Sequence, residues 1–110
     1  MPNQSEALND LFSALADPMR RAMIERLVRG PASVSELARP LKITLPTVVQ
    51  HLQFLEKSGL VISRKVGRVR TCRIAPKRLD AARAWLDKQH ALWSARFDRM
   101  DAFVEEMKDD

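Results

Sequence analysis

Five large apolar residues recur at intervals of seven near the end of this sequence, at Leu79, Leu86, Trp93, Met100 and Met107. The spacing predicts one long helix over residues 76–108, whose apolar stripe is widened by a second line of side chains. From the first to the last of the five, the helix would span roughly 43 Å, more than the core of such a short chain can cover. We therefore expect it to pack on a second subunit, with burial in the core of a monomer as the alternative. The expected contact residues are Leu86, Trp93, Phe97, Met100 and Val104.

Length and composition restrict the remaining possibilities. The 110 residues are enough for one domain over 1–110, and 45% hydrophobic with 30% charged residues is typical of a folded chain. The lone cysteine, Cys72, excludes an intrachain disulfide, so we expect a reducing compartment, the cytoplasm. No apolar run approaches the ~18 residues of a membrane span, and residues 1–10 lack the pattern of a signal peptide. We expect neither export nor a membrane partner.

The positive charge is concentrated in the middle of the chain. Residues 39–79 contain ten basic residues and one acid, a charge of +9, whereas the rest of the chain carries −4 and the whole +5. Such a block favours a polyanionic partner such as nucleic acid, with a solvated basic face as the alternative.

Capping signals divide the first half into short helices. A first helix is expected over 6–16, and Asp17-Pro18 begins a second with Ala22, Met23, Leu27 and Val28 inward. Ser33 and Glu36 have the spacing of a capping box for a third helix, which Pro40 should kink or end. Thr44 can cap a fourth helix with Pro46 in its first turn. Its expected buried stripe is Leu45, Val48, Leu52 and Leu55. Residues 33–58 therefore outline a helix-turn-helix.

A β-hairpin is expected next, over residues 60–74. Two β-prone runs, 60–65 and 69–74, flank Val66-Gly67-Arg68, and Gly67 suits the positive φ that such a turn often needs. The hairpin carries five basic residues, so it forms a basic wing: Arg64, Lys65, Arg68, Arg70 and Arg73. The predicted fold is therefore mainly α with a small β-hairpin, a winged helix-turn-helix of five helices plus wing.

Four strings in this order resemble the ArsR-type (arsenic-resistance repressor) family of winged-helix transcriptional regulators, in its metal-independent branch. They are Leu15-Ala16-Asp17-Pro18-Met19-Arg20-Arg21, Leu45-Pro46-Thr47-Val48-Val49-Gln50-His51-Leu52, Leu55-Glu56-Lys57-Ser58-Gly59-Leu60-Val61 and Arg64-Lys65-Val66-Gly67-Arg68. The resemblance implies a DNA-binding homodimeric repressor of its own or a neighbouring operon. It also implies dimerisation through the first and last helices, which adds Leu8, Leu11, Phe12 and Leu15 to the interface.

The same resemblance implies a double-stranded DNA operator, with the fourth helix in the major groove and the wing over the flanking backbone. Gln50 suits a bidentate bond to adenine, Thr47 a base or phosphate, and Val49 a thymine methyl, with a solvated surface as the alternative for each. Wing cations would neutralise phosphates. His51 suits a contact with the DNA backbone or a structural hydrogen bond equally. Arg20 suits a phosphate contact or an intramolecular ion pair. The expected DNA-binding residues are Thr44, Pro46, Thr47, Val49, Gln50, His51, Gln53, Arg64, Lys65, Arg68 and Arg70.

Other functions lack the residues they need. Metal-sensing relatives place cysteines where this chain has Val34-Ser35-Glu36-Leu37-Ala38, and Cys72, His51 and His90 stand at unrelated places, so no metal or other cofactor is expected. Cys72 is interpreted as a packing residue rather than a redox switch. No catalytic constellation or phosphate loop predicts an enzyme. Packing alone accounts for Trp85, Trp93 and Met100, so no inducer is assigned. The alternative function is a winged-helix protein-interaction module that has lost DNA recognition.

Overall fold

The predicted winged helix-turn-helix is confirmed by the order of the helices and strands. The computed structural model describes residues 4–108, and within that range five helices and three strands follow one another. They are α1 (Gln4–Leu15), α2 (Pro18–Val28), β1 (Ala32–Ser33), α3 (Val34–Leu41), α4 (Leu45–Lys57), β2 (Val61–Val66), β3 (Val69–Ile74) and α5 (Pro76–Lys108).

Three side-chain caps determine where the helices of the first half begin. Asp17 accepts a hydrogen bond from the backbone N–H of Arg20 at the start of α2. Ser33 and Glu36 form the complete capping box of α3, each side chain accepting from the other's backbone N–H. Thr44 caps α4. All three predicted caps are confirmed. They could be predicted from the sequence because an N-cap depends on residues only three positions apart.

One hydrophobic cluster lies between α1–α4 and the sheet. Its fully buried side chains come from every one of these helices and from the sheet. Two of the predicted inward positions are wrong. On α2 the buried arc contains Met23, Ile24 and Leu27, and Val28, which lies about 40° around the helix beyond Ile24, is exposed. On α4 Leu45 is exposed, because it lies in a first turn whose flanking residues Thr44 and Pro46 are exposed too.

Pro40 lies inside the last turn of α3 rather than after it. The helix continues to Leu41 and ends at Lys42, whose φ of 56° is left-handed and whose N–H donates to the Ala38 carbonyl. The predicted stop is therefore displaced by one residue.

The sheet has three antiparallel strands in the order β1-β3-β2. Strands β2 and β3 pair from Val61 with Ile74 to Val66 with Val69. The two-residue turn between them begins at Gly67, whose φ of 63° confirms the expected positive value. The sequence did not predict β1, which pairs Ala32 with Cys72 and Ser33 with Thr71.

Helix α5 extends far beyond the core. It has 33 residues, roughly 50 Å, and only its first turns are anchored, by Leu79 and Ala82. From Arg83 to Met107 every side chain except Ser94 is exposed. The radius of gyration is 19.8 Å, whereas a globule of this length would have about 13 Å. Within residues 4–108, no helix combines the length and the apolarity needed to cross a membrane.

Candidate nucleic-acid interface

The outward side of α4 is a polar stripe opposite its buried face. Val48, Leu52 and Leu55 face the core, which fixes the rotation of the helix about its axis. The side chains that are exposed on the far side share the helical spacing of four, three and four residues: Pro46, Gln50, Gln53 and Lys57. Three of these were predicted, and Lys57 was not singled out, although its spacing from Gln53 was a usable signal. The stripe presents two amides and a cation to solvent.

The first turn of α4 is organised by two threonines. Thr44 accepts from the Thr47 backbone N–H at 3.4 Å, and the two hydroxyl oxygens share a hydrogen bond of 2.9 Å. Thr44 is exposed, whereas Thr47 and Val49 are half-buried on either side of the polar stripe. Both hydroxyls are therefore held at the helix N-terminus, where backbone N–H groups and the helix dipole favour an anion such as a phosphate.

His51 faces the protein rather than the polar stripe. Its Nδ1 lies 3.9 Å from Oδ2 of Asp17, the N-cap of α2, and only 19% of the His51 side chain is exposed. The backbone N–H of Arg20 is the main cause that lowers the pKa of Asp17, opposed by desolvation and reinforced by His51. The His51 side chain therefore points to Asp17 and away from solvent, which agrees with the structural role of the two that were expected for it.

Arg20 does not point outward as a free cation. Its Nε donates to the Ala14 carbonyl and its Nη2 to the Ser13 carbonyl, both at 2.9 Å. Its guanidinium carbon also lies 4.0 Å from the centre of the Phe54 ring on α4. Of the phosphate contact and the intramolecular ion pair expected for Arg20, the structure shows intramolecular contacts, although the partners are carbonyls and a ring in place of an acid.

The basic residues of the wing are divided between the two faces of the sheet. Alternation along β2 and the register with β3 put Lys65 and Arg70 on the face toward α4. Arg64 lies on the opposite face with Arg73. Arg68 lies at the exposed tip beside Gly67. The structure therefore does not bring the four predicted wing residues together: two share a face, one is at the tip, and Arg64 is on the far side.

Arg70 is engaged by α4 itself. Its Nη2 lies 3.2 Å from both carboxylate oxygens of Glu56, and its Nε donates to Ser63 Oγ at 2.9 Å. Ser63 in turn donates to Glu56. Arg70 was expected to contact DNA, but here it connects the wing to α4, because Glu56, the one acid of the basic block, lies directly across from it. Sequence reasoning missed this pair since its members are fourteen residues apart.

Cys72 lies beneath this network, fully buried between β1 and β2. Burial is the main cause that raises the pKa of its thiol, with the Glu56 carboxylate adding to the effect and Arg70 opposing it. The structure thus places Cys72 as a packing residue, the interpretation favoured from the sequence. Among residues 4–108, no three histidine, cysteine, aspartate or glutamate side chains are grouped so that they could hold a metal ion.

The residues expected at a dimer interface form two groups. Leu11 is wrongly included, because it is completely buried in the chain's own core, and Leu8 and Leu15 pack partly against the same core. Phe12 contacts α5 edge-on through Trp85, with ring centres 5.6 Å apart. The α5 residues are by contrast 45 to 61% exposed: Leu86, Trp93, Phe97, Met100 and Val104. Trp93 and Phe97 stack on each other at 5.2 Å.

Comparison with known proteins gives consistent results. A family model for a helix-turn-helix domain matches residues 15–64. The HTH-type transcriptional regulator Rv2034 of Mycobacterium tuberculosis is 46% identical over 77 residues, 70% of this chain and 72% of that protein. The ArsR family transcriptional regulator RHA00566 superposes with a TM-score of 0.78 at 51% identity, over 86% of this chain and 97% of its own. The homodimeric winged helix-turn-helix DNA-binding domain Mb0332 of Mycobacterium bovis gives a TM-score of 0.60 at 29% identity, over 81% of this chain and 78% of that one.

Proposed function

Because this chain belongs to the ArsR family of helix-turn-helix transcriptional regulators, we propose that it acts as a homodimeric repressor that binds a double-stranded DNA operator. One observation carries the proposal: the polar stripe of α4 is exposed beside a basic wing, and the one acid between them, Glu56, is neutralised by Arg70. A helix with such a face fits the major groove, which admits an α-helix. The repressed gene is its own or a neighbouring one, and the protein acts in the cytoplasm.

In this proposal the exposed residues of α4 and the wing have separate tasks. Gln50 and Gln53 read base edges, an amide being suited to the donor and acceptor pair of adenine, and Val49 packs on a thymine methyl. The threonines at the start of α4 and the cations around it hold the phosphate backbone. We assign phosphate contacts to Thr44, Thr47, Lys57, Lys65 and Arg68, and leave Arg64, Arg70 and His51 out of this set.

The second copy covers the exposed face of α5. Nine large apolar side chains between Trp85 and Met107 are 42 to 64% exposed and lie within roughly 140° of the helix circumference. At about 100 Å² each they offer roughly 900 Å², close to the ~800 Å² per partner of a stable interface. Mb0332, a homodimer, supports the same assembly. The proposed dimer includes Phe12 of α1, which contacts Trp85.

The proposed repressor does not use the metal site of metal-sensing relatives. Helix α3, Val34–Leu41, contains no cysteine or histidine, the ligands that soft and borderline metals require. Regulation by metal would therefore need a different set of ligands. This part of the proposal is tested by measuring operator binding with and without zinc, which we expect to be equal.

The proposed DNA binding is tested by letting the purified chain select binding sites from random double-stranded DNA. We expect a two-fold symmetric sequence, with affinity that falls steeply as salt is added. Gln50→Ala should relax the preference at one base pair in each half-site. Arg68→Ala should lower the slope of log affinity against log salt by about 0.9 for each phosphate that is no longer neutralised. Arg83→Ala, an exposed arginine on α5, is the control.

Two outcomes count against the proposal. If no sequence is enriched even at low salt, the chain is not a sequence-specific repressor, and the alternative of a protein-interaction module is favoured. If Arg83→Ala changes the salt slope as much as Arg68→Ala, the wing is not the phosphate-binding element.

The proposed dimer is tested by sedimentation of the full chain. Met100→Asp puts a charge in the centre of the apolar face of α5 and should give a monomer at concentrations where the unchanged chain is dimeric. Ala91→Asp makes the same change on the opposite side of the helix, where the exposed residues are not apolar in a continuous stripe. It should leave the dimer intact. A Met100→Asp variant that remains dimeric would place the interface elsewhere.

A further inference from the structure

Two arginines in the first turn of α2 bond to the end of α1. The Arg20 side chain donates to the carbonyls of Ser13 and Ala14, which are in the last turn of α1. Arg21 donates to the Leu15 carbonyl at 2.7 Å. Carbonyls at the end of a helix have no partner within the helix, and a guanidinium can satisfy several of them in its own plane. The end of α1 is therefore fixed to the first turn of α2 by two arginines.

Only one of these arginines also contacts α4 in the described part of the chain. The guanidinium of Arg20 uses its edge for the α1 carbonyls and its face for the Phe54 ring, 4.0 Å from the ring centre. A planar cation over an aromatic face is attracted by the ring, and this geometry fixes the distance between the two helices. Phe54 is 41% exposed, so it is not held there by burial in the core. Arg20 thus connects α1 directly to the helix with the polar stripe.

A second contact lies one helical turn away. Asp17 precedes Arg20 by three residues, and His51 precedes Phe54 by three residues, so the two pairs lie side by side on the facing surfaces of α2 and α4. Asp17 also accepts the Arg20 backbone N–H at 2.9 Å. The buried face of α4 sets its rotation against the core, and these two contacts, a turn apart, fix its distance and tilt relative to α1 and α2. The junction around Asp17 and Arg20 therefore links the orientation of α4 to that of α1.

That orientation matters because two copies must bind together. In a dimer formed through α5 and α1, the angle between α1 and α4 sets the separation of the two recognition helices. Half-sites on DNA must match this separation, about 34 Å for successive major grooves. A looser junction would let each α4 still enter its own groove, but the pair would no longer favour one spacing.

We infer that Arg20 is a positioning residue of this repressor, which, through Phe54, fixes α4 relative to α1 and so determines the spacing of half-sites that the dimer accepts. The inference rests on the proposed homodimeric DNA binding. It assigns to Arg20 no contact with DNA.

The test compares operators in which the selected half-sites are moved apart or together by one base pair. Arg20→Met keeps the length of the side chain but removes the guanidinium. We expect the preference for the selected spacing to fall about fivefold, the scale of one cation–π contact, while affinity for a single half-site changes less than about twofold. Phe54→Leu should lose a similar part of the preference, and Phe54→Tyr, which keeps the ring face, should retain it.

Arg21→Met is the matched control. It removes the neighbouring arginine, which bonds α1 in the same way but, in the described part of the chain, has no hydrogen bond, ion pair or ring contact with α4. It should leave the spacing preference unchanged. Thermal unfolding of every variant checks that the fold persists, and Phe54→Leu carries the test alone if Arg20→Met does not fold, since the Phe54 side chain is partly exposed.

Three results would overturn the inference. The first is a spacing preference of Arg20→Met or Phe54→Leu equal to that of the unchanged chain. The second is a loss of affinity for a single half-site as large as the loss for the full operator. The third is a salt slope lowered by about 0.9 in Arg20→Met, which would make Arg20 a phosphate contact. Failure of the unchanged chain to select any sequence is a different result, since it would refute the proposed function itself.

Discussion

Removal of the one acidic side chain in the basic block should strengthen DNA binding. Glu56 holds the Arg70 guanidinium through both carboxylate oxygens, and Ser63 bonds to each of these two residues. Glu56→Gln keeps the size of the side chain and removes its charge. Arg70, on the face of the wing toward α4, then becomes available to a phosphate. We expect one additional phosphate contact for each subunit.

The size of the effect follows from the release of counterions. One contact adds about 0.9 to the slope of log affinity against log salt. If that contact contributes nothing at about 1 M salt, it should strengthen binding about fivefold at about 0.15 M and about fifteenfold at about 0.05 M, per half-site. The cost to folding should be small, under about 1 kcal/mol, because the Arg70 and Glu56 side chains are 44% and 25% exposed and water screens their pairing.

Fluorescence anisotropy of a labelled operator measures both the affinity and the slope when it is titrated from about 0.05 to about 0.4 M salt, where the Debye length falls nearly threefold. Asp87→Asn is the control, because it removes the same unit of charge from an exposed pair with Arg83 on α5. The double variant Glu56→Gln with Arg70→Ala should return the slope to that of the unchanged chain. The reasoning is refuted if Glu56→Gln leaves the slope unchanged, or if Asp87→Asn raises the affinity equally.

Three further predictions concern stability and reactivity. Asp17→Ala should lower the free energy of unfolding by about 1 kcal/mol at neutral pH. Since the pKa of Asp17 is lowered, its charged form stabilises the fold above about pH 4, so urea unfolding should show the difference shrinking as the pH falls below that value. Cys72, buried and with a raised pKa, should react with a thiol reagent only as fast as the protein opens, and rapid labelling of the folded chain would contradict this. Gly59→Ala should cost about 1–2 kcal/mol in urea unfolding, because its φ is 82° and the added carbon would meet Arg78 at 2.7 Å. Gly67→Ala, with a φ of 63° and open space, isolates the backbone part, and a loss there as large as at Gly59 would refute the role of Arg78.

Local signals in the sequence predicted the caps and the hairpin turn correctly, and the reason is physical. An N-cap, a capping box and a glycine turn each depend on residues within three positions of one another, so the chain determines them without help from the rest of the fold. The side of each helix that faces the core was predicted less accurately. Val28 and Leu45 are apolar and follow the helical period, but each stands at the edge of the region that the core covers, and only the packing of the other elements defines that edge.

The site was harder to predict where it depends on distant contacts. The contacts of Arg20 with Phe54 and of Arg70 with Glu56 join residues 34 and fourteen positions apart, and nothing in either local pattern specifies them. The placement of Arg64 and Lys65 on opposite faces of the sheet could have been predicted from the sequence, because neighbouring residues in a strand face opposite sides. Strand β1 has only two residues, too short for any alternating pattern to indicate it.

That short strand has a consequence for the order in which the wing becomes rigid. Ser33 pairs with Thr71 and is also the N-cap of α3, so the middle of β3 is bonded to the start of the helix-turn-helix. Closing this contact joins residues nearly forty positions apart, and the three-stranded part of the sheet can be completed only together with the start of α3. Amide hydrogens around Cys72 should therefore exchange as slowly as those of the core, and those next to Gly67 much faster. A wing with a stiff base and a looser tip would, in the proposed complex, let Arg68 adjust to the DNA backbone without disturbing α4.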